Sequence, residues 1–211
     1  MRPAVMAWHG NTSRRWIALT FDAGSDTGTT AAVLDILAAH HVTATFSLTG
    51  DWVRANPALA RRIAVAGHTI VNHTDDHDSF TGYSTHTAPL TSWERRAELQ
   101  RAETTILQTT GVSPRPWFRP PYGDTDAATP RDVGAAGYSY ILMWTVDSLG
   151  WKGFSADAVV QRVLAAATPG GIVLMHVGSA STDVLALPRI IDGLAARGYQ
   201  FVSVGAPGFI R

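Results

Sequence analysis

The chain has 211 residues and a mass of 22.6 kDa; 45% of the residues are apolar and 16% are charged. This composition supports one domain with a sizeable core and excludes a disordered chain. Seventeen basic residues balance seventeen acidic ones, so neither a nucleic acid nor an anionic membrane surface is expected as a partner.

Cysteine is absent, which excludes disulfides, thiolate metal sites and cysteine nucleophiles. No apolar run is long enough for a membrane span. The first ten residues, Met1 to Gly10, carry no apolar signal region. Either the protein is cytoplasmic or a leader has been removed.

Short apolar runs alternate with helical stretches along the chain. A strand is expected at 15–21 and a helix at 28–40. A strand at 43–48 precedes a helix at 56–66, which begins on Pro57 and stops at Gly67. After a strand at 68–71 comes the longest irregular stretch, 77–90; long loops in compact domains are often functional. The helix at 91–110 opens on Thr91-Ser92-Trp93-Glu94, a capping-box pattern, and ends at Gly111. Further strands are expected at 116–118, 138–146, 171–175 and 199–204, with helices at 130–136, 155–167 and 183–197. About seven strand–helix units predict a distorted, incomplete (β/α) barrel in a single α/β domain. The domain spans 15–211, with 1–14 as an N-terminal segment.

Active sites of parallel barrels lie just beyond the strand ends. Five exits here deliver ionisable residues: Asp22; His73 to His77; Arg119; Asp147; and His176. His73 and His77 are four apart, a spacing that on a helical turn puts both imidazoles on one side, able to share a metal ion. Two surface histidines in a polar loop would read the same way. Asp22 is placed for a base or a ligand, although a carboxylate there could also cap the next helix, for which Asp26 is better placed. Arg119 could clamp Asp22 and keep it ionised, or form a structural ion pair. His176 alone would read as a core histidine, but its company at the other exits favours chemistry. Tyr122 and Trp151 flank these segments and suit stacking on sugar rings.

Together the segments resemble the polysaccharide deacetylase family (carbohydrate esterase family 4, the NodB-homology domain). Thr20-Phe21-Asp22-Ala23-Gly24 is similar to its TFDDG motif. Asn72-His73-Thr74-Asp75-Asp76-His77 is similar to NH[ST]xxH, and Phe118 to Gly123 reads FRPPYG. Trp144 to Trp151 resembles the fourth motif, Ile172 to His176 the fifth, and Ala44 to Gly50 the ATFFLTG strand.

The resemblance implies a divalent metal, usually Zn²⁺ with Co²⁺ or another divalent ion as alternatives, and hydrolysis of acetyl groups from sugar nitrogen or oxygen. Asp22 is then the base, His176 the acid, Arg119 the residue orienting Asp22, and His73 and His77 metal ligands. The Tyr122 backbone serves the oxyanion, and Leu174 lines the acetyl pocket. Two positions depart from the pattern. Ala23 replaces an aspartate ligand, for which Asp26 or Asp22 would have to substitute. Gly150 replaces an acid that tunes His176, for which Asp147 or Asp124 would have to reach in.

The expected function is a metal-dependent deacetylase of acetylated oligo- or polysaccharides. N-acetylglucosamine-containing glycans such as peptidoglycan or chitin oligomers are preferred over O-acetyl xylan. The alternative is a non-catalytic glycan-binding member that has lost its metal site. Such substrates lie mostly outside the membrane, so a secreted or cell-envelope location is expected.

Overall fold

A computed structural model describes residues 2–24 and 26–210. The strands are β1 (Val5–Ala7), β2 (Trp16–Ala23), β3 (Thr45–Leu48), β4 (Thr69–Asn72), β5 (Trp117–Phe118), β6 (Tyr140–Leu142), β7 (Val146–Asp147), β8 (Gly171–His176) and β9 (Gln200–Phe201). The helices are α1 (Thr30–Ala39), α2 (Gly50–Ala55), α3 (Pro57–Val65), α4 (Ser92–Thr110), α5 (Thr129–Ala135), α6 (Ala156–Ala166) and α7 (Asp183–Ala196). Short 3₁₀ turns occupy Pro121–Gly123 and Gly150–Lys152.

All the strand pairings are parallel, and the sheet runs β1-β6-β5-β4-β3-β2-β8-β7, with β9 also against β2. Among the described residues the path does not close, so the fold is the incomplete (β/α) barrel expected from the alternation of elements. β2 is its axis. The upper part of one edge, Thr20 to Ala23, pairs with β3, while Trp16 and Ile17 pair with β9. The other edge pairs with β8 from Ile17 to Asp22.

Strand alternation sorts the two faces of this axis. Phe21, Ala23, Val173 and Met175 join the apolar layer beneath α1, α6 and α7, with Leu37, Val163 and Ile190. Phe21 stacks on Phe46 of β3 at 5.3 Å between ring centroids. Thr20 lies beside Leu174, and Asp22 beside His176; by the same alternation these four share the inner face. β2 therefore supplies a core wall with one side and a polar site with the other.

Three elements depart from expectation. The stretch 138–146 is two strands, not one. β6 pairs with β5 and β1, whereas β7 pairs with β8 toward the far edge of the sheet. Between them the Leu142 and Met143 carbonyls accept Arg119 N–H groups, so the break provides acceptors for a buried cation. β1 lies within the segment 1–14 and joins the same sheet, although its three residues are too few to show a pattern. α2 follows β3 directly, capped by Thr49 Oγ1, which accepts the Trp52 N–H at 3.1 Å.

The Phe21–Phe46 stack is a direct test of this layering. Both side chains are fully buried, so Phe46→Ala should lower the unfolding free energy by about 3–5 kcal/mol, read from urea denaturation. A loss near zero would mean that the layer does not close on this ring.

Candidate active site

Arg119 leaves the tip of β5 with no exposed surface. One terminal nitrogen donates to Asp22 Oδ1 at 2.7 Å and to Thr20 Oγ1 at 2.9 Å. Its Nε donates to the Leu142 carbonyl at 3.3 Å and its other terminal nitrogen to Met143 at 3.4 Å. A guanidinium so enclosed must be paired, because an unpaired buried charge is prohibitively costly. The paired carboxylate is Asp22, itself nearly buried. Burial pushes its carboxyl up, but Arg119, with His73 and His176, outweighs that and holds it well below the usual carboxylate range. Asp22 is thus an anion at neutral pH.

His73 Nδ1 lies 2.8 Å from the Arg119 carbonyl oxygen. That contact assigns the proton to Nδ1, because a carbonyl can only accept. Nε2 keeps its lone pair and stands 3.6 Å from Asp22 Oδ2. The His77 ring meets His73 edge-on at 4.9 Å between centroids.

The expected helical turn is absent. β4 ends at Asn72, and left-handed backbone at Thr74 (φ 68°) and His77 (φ 71°) folds the chain back instead. Local bonds hold this costly geometry. Asn72 Oδ1 accepts the Thr74 N–H, and Thr74 Oγ1 accepts the His77 N–H. Buried Glu98 of α4 accepts the N–H groups of Asp75 and Asp76.

Burial pushes His73 down, and burial with its neighbour His73 pushes His77 down to about 3. Both rings are therefore neutral at pH 7 with nitrogens able to ligate, a chemistry suited to zinc. A Nδ1–H held by a carbonyl is also the usual orientation of a metal-binding histidine. As a pair, His73 and His77 fit a divalent cation.

Of the two carboxylates that could stand in for the ligand missing at Ala23, Asp22 comes near the pair, with Oδ2 3.6 Å from His73 Nε2, while Oδ1 is held by Arg119. The Ala23 side chain lies in the apolar layer. Asp26 is not brought to the histidines: it is exposed, and its carboxylate accepts the backbone and hydroxyl protons of Ser179. Nor does it cap α1, whose N-cap is Thr29. Among the described residues no three His, Asp or Glu side chains converge as a metal site.

His176 ends β8 directly beside Asp22. The Trp151 ring lies 6.1 Å from the His176 ring, its Nε1 donating to Asp147. Tyr122 sits in a 3₁₀ turn at φ 60°, its ring 4.8 Å from His77. These two aromatics are about half exposed, whereas Leu174 is buried. Residues 77–90 contain no helix or strand, and Tyr83 and His86 line an open groove with Gly123 and Asp126.

Neither acid expected to reach His176 does so. Asp147 is occupied by Trp151 and the Leu149 N–H, and Asp124 by Ser79 and Ser84. Sequence reasoning missed Thr20 and Glu98 as supports of the site. Thr20 stands two positions before Asp22, the period that signals a shared strand face.

The profile of the polysaccharide deacetylase family matches residues 9–141. A peptidoglycan-N-acetylglucosamine deacetylase of Bacillus cereus is 34% identical over 201 residues, 94% of this chain and 70% of that protein. One from Listeria monocytogenes is 36% identical over 188 residues, 89% of this chain. The chain spans only 38% of the length of the Listeria relative. A solved structure of a pseudoenzyme of carbohydrate esterase family 4 from Bacillus anthracis superposes with a TM-score of 0.85 at 31% identity, covering 97% of this chain and 68% of that one. A mutant of that pseudoenzyme, described as having restored enzymatic activity, gives 0.83 at 32% identity, covering 97% and 71%.

The chain belongs to the polysaccharide deacetylase family, and its open barrel is that family's fold.

Arg119→Met should cost about 3–5 kcal/mol of stability at pH 7, because it strands the Asp22 carboxylate in the interior. A lowered folded pKa contributes stability above the unfolded value, near 3.9 for aspartate, and that contribution fades as pH falls. The difference between wild type and variant should therefore shrink as the solution is acidified below about pH 4. Urea denaturation at several pH values checks this; a pH-independent difference would contradict it.

Proposed function

We propose that the protein is a carbohydrate deacetylase that hydrolyses acetyl groups on acetylated glycans. N-acetylglucosamine-containing polymers such as peptidoglycan or chitin oligomers are the favoured substrates. The observation that carries this reading is an ionised Asp22, clamped by Arg119 and facing two neutral imidazoles, with His176 beside it on the next strand.

Asp22 is the base: it takes a proton from the attacking water as the water oxygen bonds to the acetyl carbon. His176 is the acid: it gives a proton to the departing sugar nitrogen as the C–N bond breaks, releasing acetate and an amine. Arg119 keeps Asp22 charged and oriented. Tyr122 and Trp151 offer exposed rings for sugar faces, and Leu174 lines the space for the acetyl methyl. His73 and His77 would hold a divalent cation, zinc by donor chemistry or cobalt, which when bound supplies Lewis-acid polarisation. A polymeric cell-wall substrate fits an exported protein.

A second reading rests on Ala23. With two nitrogen donors instead of three ligands, the chain would bind glycans without cleaving them. Asp22, Arg119 and His176 argue against that, because a binder needs neither base, clamp nor acid.

Acetate release from chitin oligomers, peptidoglycan and acetylxylan, with and without added Zn²⁺ or Co²⁺, separates the two. Wild type should release acetate from an N-acetylated glycan, and Asp22→Asn should lower kcat by about 10²–10⁴-fold. Background release by wild type on every substrate would favour the binder.

The missing donor yields its own prediction. Position 23 precedes Gly24, where an added Cβ would stand 2.8 Å from His77 Cδ2. Because the residue-23 side chain starts in the apolar layer, an aspartate there would reach the histidine pair by turning its carboxylate past this close approach. Wild type should lose most of its zinc on dialysis against a mild chelator, and Ala23→Asp should retain it near stoichiometry. Equal retention would show that a full site already exists.

A further inference from the structure

His176 and Asp183 present two buried polar atoms without partners: imidazole Nδ1 of the first and Oδ1 of the second. The residues are already joined, because the His176 backbone N–H donates to Asp183 Oδ2 at 2.8 Å. Ser181 Oγ donates to that same oxygen at 2.9 Å. Asp183 opens α7 and has no exposed surface.

The space around Oδ1 is shaped by Gly150. A Cβ at that position would stand 2.4 Å from Asp183 Oδ1 and 2.7 Å from its Cγ. Any side chain at 150 would therefore displace the carboxylate. The glycine is what allows an acid from α7 to stand there.

An aspartate in the first turn of a helix ordinarily serves the helix dipole, and Oδ2 with its two donors would suffice for that. Such a role leaves Oδ1 and the His176 nitrogen both buried and unsatisfied, which costs stability at each. Burial pushes the Asp183 carboxyl up, so a charge there calls for a donor. The Ser148 and Ser181 hydroxyls and the His176 backbone N–H oppose that push, and the polar atom still without a partner on the residue joined to this carboxylate is His176 Nδ1.

We propose that Asp183 is the positioning residue of His176: its Oδ1 accepts the Nδ1 proton and fixes the ring, so that Nε2, facing the substrate, carries the proton that His176 gives up as the acid. The proposal deepens the deacetylase reading by assigning to α7 the support that position 150 cannot give. Asp183 acts through His176 and touches no substrate.

The test combines ¹⁵N NMR of the imidazoles at neutral pH with steady-state kinetics, on wild type and Asp183→Asn. The asparagine keeps the shape and can still accept the His176 backbone N–H. Its amide then faces Nδ1 as a donor, which requires the other tautomer. Wild type should show His176 with Nδ1 protonated, and the variant with Nδ1 bare and a proton on Nε2 alone. kcat should fall about tenfold or more with KM within about twofold, since ring orientation serves the proton transfer and not binding. Asp183→Ala, lacking both acceptor and donor, should give a mixture of tautomers.

The same tautomer in wild type and Asp183→Asn, or a loss confined to KM, would overturn the proposal. The tautomer readout does not depend on turnover. If wild type releases no acetate yet the tautomer switches, the deacetylase reading fails and the pairing stands.

Discussion

A buried ion pair organises this molecule. Arg119 has no contact with water, and its nitrogens are distributed over a carboxylate, a hydroxyl and two backbone carbonyls. Four strands must be in place to supply those groups: β2 for Thr20 and Asp22, β5 for the arginine, β6 for the Leu142 carbonyl, and β4 for the histidine that reads the Arg119 carbonyl. A pair that strains for partners in this way adds little net stability compared with apolar packing. What it secures is a carboxylate that stays charged where water is scarce. The same backbone carbonyl fixes the His73 proton, so the charge of Asp22 and the ligating face of His73 share one origin.

Function in this fold follows from the two-residue period of β2 and β8. One face closes the apolar layer through Phe21 and Met175, and the other delivers Asp22 and His176 side by side. Ala23 marks where the two faces compete. Its methyl belongs to the apolar layer, and correspondingly no group of three His, Asp or Glu side chains forms a metal site among the described residues. At position 150 the balance runs the other way: loss of a side chain opens room for the carboxylate of Asp183. The chain is thus depleted at one motif and supplied from a different element at another.

Much of this was legible from residues alone. Strands such as 171–175, continuous and β-branched, gave the parallel sheet, and their exits named Asp22, His73, His77, Arg119 and His176. Helix ends marked by Pro57, the Thr91–Glu94 box and Gly111 fell within a residue or two of the structure. The failures have physical causes. β1 is too short to show a period, whereas β9 falls inside the strand expected at 199–204 and is only shorter than that run. The run 138–146 is mostly apolar and aromatic, and that pattern does not reveal that the chain leaves the sheet after Leu142. His73 and His77 meet through left-handed turns rather than a helix, a choice made by Asn72, Thr74 and Glu98 together. Asp26, expected as a cap or a substitute ligand, is taken by Ser179, a partner too distant in sequence for spacing to reveal. Asp183 looked like an ordinary first residue of a helix because its contact with position 150 exists only in the folded chain.

The central claim is that Asp22 is an anion because Arg119 is buried against it. Carbon-13 NMR of the Asp22 side-chain carboxyl, followed while the folded protein is acidified, measures that directly. The account predicts a carboxyl that remains ionised through the range in which ordinary aspartates take up a proton, centred near about 3.9. Protonation within that range or above it would contradict the account, because Asp22 would then lack the charge on which the site is built.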